Sequence, residues 1–242
     1  MRSPKPLALE IAAGTLRPWD VPRRDQPLEW PATERVSRGS AYFVAKRMLD
    51  VVGSLVLACV FAPLMLAIAL LLRNDGGSVI YRHCRVGRRG RVFACLKFRT
   101  MVPGADHMLH VLLEQDSNLK GEWMRYHKLH RDPRVTRLGR LLRSTSLDEL
   151  PQLWNVIRGE MSLVGPRPVM PQELPRYGRN VRGYLAINPG ITGLWQVKGR
   201  NDADYRRRVV LDTYYMRKQS LLLDLWILLK TIRVVLGGRG AY

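Results

Sequence analysis

Cysteine is scarce and unpatterned. The chain has 3 cysteines, Cys59, Cys84 and Cys95, and no CxxC spacing. That excludes a disulfide framework and a cysteine-built zinc site, and fits a reducing compartment. Acidic residues are also few: 20 Asp and Glu stand against 40 Lys and Arg, a net charge of +20. Such a surplus implies an anionic partner: nucleic acid, an anionic membrane surface or a phosphorylated substrate. No P-loop, GxGxxG, GxSxG or HExxH is present, so several enzyme classes lose their usual signals. There are no internal repeats. His127 and His130 are three apart, but no further ligands follow at metal-site spacing.

The 242 residues, 46% of them apolar, are enough for one domain of ordinary size with attachments. Residues 1–40 carry six prolines and scattered charge without an apolar period, which predicts a disordered basic tail. No apolar core follows the first few residues, so this is not a signal peptide.

Residues 41–75 form a membrane anchor on this reading. "VVGSLVLACVFAPLMLAIALLL", 51–72, is 22 residues without a charge, long enough to cross a bilayer as a helix. Two details favour a re-entrant segment over a simple span. Pro63 removes a backbone donor and crowds the Cys59 carbonyl, which predicts a kink. Both flanks are basic: Lys46 and Arg47 before, Arg73, Arg82 and Arg85 after. Basic flanks prefer the cytoplasmic side. A helix-break-helix keeps both there, at the cost of backbone groups that must be satisfied at the break.

Residues 76–242 are expected to fold as the cytoplasmic domain. Over 78–101, two β-rich runs flank "GRRG", a hairpin pattern. Residues 105–130 have a helical stripe of Leu109, Leu112 and Leu113. "RVTRLGRLLR", 134–143, is basic and amphipathic, with Val135, Leu138, Leu141 and Leu142 as its apolar face. Its arginines suit either solvent or anionic headgroups. "SLVGPRP" at 162–168 predicts a strand ending in a stiff turn, and "NPGITGLWQVKGRN" at 188–201 a glycine-rich loop with a strand-like centre. Helices are expected over 202–218 and 220–236, the last very apolar. The fold class expected is α+β: mostly helical with a small hairpin, a re-entrant membrane segment, amphipathic interfacial helices and a compact catalytic domain.

"STSLDELPQLWN", 144–155, sets Asp148 beside Glu149 at a helix start. Ser146 and Glu149 match the S-x-x-E capping box, and Pro151 is tolerated in the first turn. Acids there complement the helix dipole by about 0.3–1 kcal/mol each. That alone accounts for them structurally. A functional account adds that the dipole keeps a carboxylate ionised, fit to attack phosphorus or bind Mg²⁺. A diphosphate would need fixed positive charge, for which Lys97, Arg99, Arg143 and Arg167 are candidates. Strand alternation would put Lys97 and Arg99 on one face. Arg167, between two prolines, would present a stiffly held fork to phosphate.

Taken together, "KRMLD", "YRHCRVGRRGRVFACLKFRTM", "DPRVTRLGRLLRSTSLDELPQLWNVIRGEMSLVGPRP" and "NPGITGLWQVKGRN" closely resemble the bacterial sugar transferases, monotopic polyprenyl-phosphate phosphoglycosyl transferases. The resemblance runs from about residue 42 to the end. It implies transfer of a sugar 1-phosphate from a UDP-sugar to undecaprenyl phosphate, with release of UMP, through a covalent phosphosugar on aspartate. It also implies Mg²⁺, and a place on the cytoplasmic face of a bacterial inner membrane. Carried over, Asp148 is the nucleophile and a metal ligand, and Glu149 assists attack by the polyprenyl phosphate. Lys97, Arg99 and Arg167 hold phosphates, and Gln196 and Arg200 line the nucleotide-sugar site. The family's break often carries Ser-Pro; here the pair is Ala62-Pro63, without the hydroxyl. The ending resembles members that transfer galactose or glucose 1-phosphate for exopolysaccharide, galactose ahead of glucose. Expected partners are the UDP-sugar, undecaprenyl phosphate and membrane lipids, with a homodimer as a candidate and no nucleic acid. A membrane-anchored nucleic-acid-binding protein or an inactive scaffold is the alternative. It leaves "DELPQ" and "GPRP" without a role, and no nucleic-acid-binding motif supports it.

Overall fold

The computed structural model describes residues 39–74, 76–126, 129, 132–198 and 205–236. The basic tail, His127, His130 and Arg200 lie outside these residues. The described residues are mostly helical, with two small two-stranded sheets among them.

Helix α1, Ser40–Arg73, is 34 residues long and continues through Pro63. The helix-break-helix expected there is therefore not seen as an interruption of helix. Cys59 and Pro63 are both exposed, so the lost bond falls on the face turned away from the domain. The opposite face is continuous. Asp50, Ser54, Ile68 and Leu72 are buried, and Ala58, Met65 and Ala69 pack on the core between them. Spacings of three and four place all of these on one side of the helix. Contact is close: a Cβ on Gly53 would lie 2.8 Å from Leu163 Cδ1. Val52, Leu55, Val56, Val60, Leu66 and Leu70 remain exposed along the rest of α1. This is the one helix among the described residues long and apolar enough to cross a membrane.

The hairpin forms where the sequence places it. Strand β1, Ile80–Val86, pairs antiparallel with β2, Val92–Phe98, around a 3₁₀ turn at Arg88–Gly90. Residues 105–126 fold as two helices, α2 (Ala105–Gln115) and α3 (Ser117–Tyr126), rather than the single helix expected. Asp116 divides them: its Oδ1 accepts from the Asn118 and Leu119 amides, a local bond that competes with helix continuation. Helix α4, Arg137–Thr145, starts at Thr136, whose hydroxyl accepts from the Gly139 amide at 2.8 Å. Leu142 is buried beneath it, but Leu141, expected on the same face, is exposed.

Helix α5, Gln152–Ile157, leads to β3, Ser162–Val164, which pairs in parallel with β4, Gly190–Thr192. Helix α6, Val181–Ala186, lies between these strands in sequence. After β4 come α7 (Leu194–Lys198), α8 (Tyr205–Lys218) and α9 (Leu221–Leu236). The main core joins the hairpin, α5, β3 and α6–α9 through Val86, Phe93, Val156, Met161, Leu174 and Tyr215.

Both ends of α1 are bonded to this domain. Near the start, Lys46 pairs with the fully buried Asp224 of α9 at 2.8 Å, and Arg47 donates to the Val156 and Ile157 carbonyls that end α5. At the other end, the Leu72 carbonyl accepts from Arg99 Nη2 at 2.9 Å.

Candidate functional site

The acid pair does not begin a helix in the way the capping pattern predicts. Ser146 ends α4 in the left-handed region, φ 59°, and its side chain caps nothing. A 3₁₀ turn, Leu147–Glu149, follows, and α5 begins only after Pro151. Residues three apart share a face of a 3₁₀ turn. Leu147 and Leu150 accordingly pack on the small core of Ile68, Leu72, Phe98 and Leu142. Asp148 and Glu149 are left to face the hairpin.

Lys97 of β2 meets them there. Its Nζ donates to Glu149 Oε1 at 2.6 Å and stands 3.9 Å from Asp148 Oδ2. Burial works against the Lys97 ammonium, but Glu149 and Asp148 outweigh it and hold its pKa above the ordinary value. Asp148 is 8% exposed. Burial pushes its pKa up to about 6, with Glu149 adding and Lys97 and Arg143 opposing. A helix dipole was expected to keep Asp148 ionised. The structure corrects that: desolvation dominates, because Asp148 precedes a helix of only six residues and lies under the hairpin.

Arg143, on α4, donates Nε to the Thr100 hydroxyl at 2.9 Å, and Asp148 acts on its charge. Gly139 permits this docking, since a Cβ there would overlap the Thr100 carbonyl. Arg99, just past β2, ties the end of α1 to the strand through its bond to the Leu72 carbonyl. Asn155 fixes β2 against α5, accepting from the Leu96 amide at 3.0 Å and donating to the Ala94 carbonyl at 2.8 Å.

A second basic group adjoins Lys97. Cross-strand register places Tyr81 opposite Lys97, His83 opposite Cys95 and Arg85 opposite Phe93, all on one face of the hairpin. Arg85 bonds His83 Nδ1 at 2.9 Å and Glu173 at 3.2 Å. Burial, reinforced by Arg85, Lys97 and Arg167, lowers the His83 pKa to about 3, so the imidazole is neutral and Nδ1 accepts. Arg167, between Pro166 and Pro168, thus lies in the same field as Lys97. Its guanidinium stands 5.1 Å from the Trp195 ring centroid, and Arg208 of α8 stands 4.4 Å from it. Gln196 Nε2 donates to the Ile191 carbonyl at 3.3 Å, and its Oε1 is buried without a partner.

Lys97, Arg143, Asp148 and Glu149 are therefore brought together, and Arg167 acts on the same His83 and Cys95 as Lys97. His83, Arg85, Trp195 and Arg208 were missed by sequence reasoning. Alternation along "YRHCR" carried a signal for the first two. Arg208 is one arginine in a run of three, Arg206–Arg208, and only the fold distinguishes it. Chemically, this arrangement presents a desolvated carboxylate beside a second one, and surrounds them with fixed positive charge suited to a multiply charged anion.

The model of the bacterial sugar transferase family matches residues 41–238, and the chain belongs to that family. It is 50% identical over 210 residues to the UDP-galactose-lipid carrier transferase of Erwinia amylovora, covering 87% of this chain and 44% of that protein. Identity is also 50% over 197 residues to the undecaprenyl-phosphate galactose phosphotransferase of Salmonella typhimurium, covering 81% of this chain and 41% of that one. The exopolysaccharide production protein ExoY of Rhizobium meliloti is 50% identical over 200 residues, which cover 82% of this chain and 88% of ExoY. The chain thus spans less than half the length of the two galactose-named relatives and most of ExoY.

Proposed function

We propose that this chain transfers a sugar 1-phosphate, galactose 1-phosphate first among candidates, from a UDP-sugar to undecaprenyl phosphate, releasing UMP and starting an exopolysaccharide or surface glycan. The observation that carries this reading is the buried Asp148, set with Glu149 against Lys97 and flanked by Arg143. The activities for which the relatives are named supply the substrate class.

In the first half-reaction, an Asp148 oxygen attacks the sugar-bearing phosphorus. The bond from that phosphorus to the bridging oxygen breaks, and the electron pair leaves on UMP. In the second, a phosphate oxygen of undecaprenyl phosphate attacks the same phosphorus. The aspartyl P–O bond breaks and the carboxylate returns. Glu149 takes the proton of the acceptor phosphate when that group arrives protonated, and Lys97 orients Glu149. Partial desolvation favours Asp148 as a nucleophile, while Lys97, Arg143 and Arg167 hold charge on the transferring group.

Mg²⁺ fits these residues. Burial raises the Asp148 pKa despite Lys97 and Arg143, so that carboxylate has room for further positive charge. No group of three potential ligands exists among the described residues. An ion here would be held by Asp148, with Glu149 beside it, and substrate phosphates would complete its shell. When bound, it would neutralise charge on the diphosphate.

The anchor reading is that α1 holds the chain to the cytoplasmic face of a bacterial inner membrane with both of its ends on that side. Support comes from Lys46 and Arg47 at one end and Leu72 at the other, all bonded to one domain. From Lys46 to Leu72 is about 39 Å of helix, and a simple span would put those ends on opposite sides. Leu222, Leu225, Leu229 and Ile232 of α9 are exposed, and Lys198 and Lys230 lie within 6.0 Å of the Trp226 ring, a pattern that suits the interface.

The test is UMP release from membranes carrying the chain, given undecaprenyl phosphate, Mg²⁺ and a panel of UDP-sugars. Release dependent on the lipid acceptor is expected, with UDP-galactose the best donor. Salt-sensitive DNA binding without UMP release from any donor would replace this reading with the nucleic-acid one.

A further inference from the structure

Two arginines are held against one buried indole. Arg167 and Arg208 lie 5.1 and 4.4 Å from the centroid of Trp195, which is only 7% exposed. Each is within cation–π range, but an aromatic ring cancels no charge. Among the described residues, Glu173 and Asp212 act on the charge of Arg208, but neither forms an ion pair with it, and each is bonded elsewhere. Glu173 pairs with Arg85 and accepts from the Met170 amide. Asp212, fully buried, accepts from the Tyr177 hydroxyl at 2.7 Å and from the Arg167 amide at 3.4 Å.

The cluster also concentrates unmet polar atoms. Arg167 Nε, Arg208 Nε, Trp195 Nε1 and Asp212 Oδ1 are buried and without a hydrogen-bond partner. Orphaned buried donors and adjacent like charges both cost stability. Here three separate elements enforce the arrangement: the Pro166–Pro168 turn, α7 and α8. Donors fixed in advance by several elements suit a ligand that arrives with the missing charge.

Chemistry and place narrow the ligand. A pair of guanidinium forks matches phosphate oxygens. Arg167 acts on His83 and Cys95 together with Lys97, and Lys97 is bonded to Glu149. The cradle and Lys97 therefore share the His83–Cys95 face of the hairpin. A diphosphate whose sugar-side phosphorus meets Asp148 would extend its other phosphate in this direction.

We infer that Arg208, paired with Arg167 on Trp195, forms the seat for the nucleoside-side phosphate, the group that departs as a nucleoside monophosphate. This rests on the reaction proposed above. It adds Arg208 as a binding residue, with Trp195 as its support. A seat for the departing phosphate stabilises the charge that develops there as the bridging bond breaks.

Binding of UMP to the purified full chain, followed by calorimetry in detergent without turnover, tests the inference. In Arg208→Ala the Kd for UMP should rise about tenfold or more, as expected for a lost charged hydrogen bond. Arg208→Lys should recover part of the affinity, and Arg206→Ala, an exposed neighbour on the same helix, should match the unaltered chain. Should Arg208→Ala fail to fold, the comparison of Lys and Gln at that position decides by the same criterion. Overturning results are a chain that binds no UMP, or an Arg208 variant of unchanged melting temperature whose Kd stays within about twofold. If UMP binds and Arg208→Ala weakens it, yet no donor supports transfer to undecaprenyl phosphate, the seat stands and the reaction assigned to it falls.

Discussion

Lys97 is bonded to Glu149 at 2.6 Å while Asp148 stands 3.9 Å away, so one ammonium serves both carboxylates and serves Glu149 more closely. Removing it would leave two adjacent acids beside an incoming diphosphate. Lys97→Met should lower UMP release by about 100-fold or more, the scale seen when one preorganised donor is lost from a charged site. Lys97→Arg should retain part of the activity. Turnover close to that of the unaltered chain in Lys97→Met would remove Lys97 from the site.

The division of labour between the acids has separable signatures. With a UDP-sugar labelled in its sugar and no lipid acceptor, the chain should retain label covalently. Asp148→Asn should abolish both label and transfer while the protein still sediments with membranes. Glu149→Gln should still take up label and discharge it slowly when undecaprenyl phosphate is added. Label on Asp148→Asn, seen on a denaturing gel, would assign the nucleophile elsewhere.

Asp212 makes a prediction about stability. Burial raises its pKa to about 6, against the hydrogen bonds from Tyr177 and Arg167. An unfolded aspartate titrates near 3.9. The folded chain thus holds this proton more tightly. Its contribution is fully present below about pH 4 and is lost as pH rises through about 6. Asp212→Asn keeps the shape and removes the titration. Between pH 4 and 7 the unaltered chain should lose up to about 3 kcal/mol relative to the variant. Thermal unfolding of both at several pH values checks this. A pH-independent difference would mean that Asp212 does not titrate in this range.

Topology can be read chemically. Val44→Cys, near the start of α1, and Gly76→Cys, just past its end, bracket its apolar stretch, and Cys59, exposed on it, would be replaced first. Both positions should react with an impermeant thiol reagent in inside-out vesicles and neither in intact spheroplasts. Reaction from opposite faces would refute the re-entrant anchor.

Much of this was legible in the sequence, for local reasons. Alternation and a GRRG turn sufficed for the hairpin, the charge-free run 51–72 for α1, and strong apolarity around three charges for α9. The acid pair stood out against a basic background. What was illegible depended on tertiary packing. Ser146 takes a left-handed conformation because α4 must end and turn Leu147 inward, so the capping pattern is overridden. Asp116 splits a helix that the Leu stripe alone would continue. The burial of Asp148 and the approach of Arg208 to Trp195 arise from residues distant in sequence.

The clasp between Lys46 and Asp224 joins residues 178 apart in the chain. On the ribosome, the apolar stretch of α1 emerges long before the residue that seats its first turn has been made. The nascent chain must therefore carry an unpaired hydrophobic helix through most of its synthesis. Delivery to the bilayer would shelter that helix in the meantime. Docking of Asp224 would then be a late event, completed only after the last helix has left the exit tunnel.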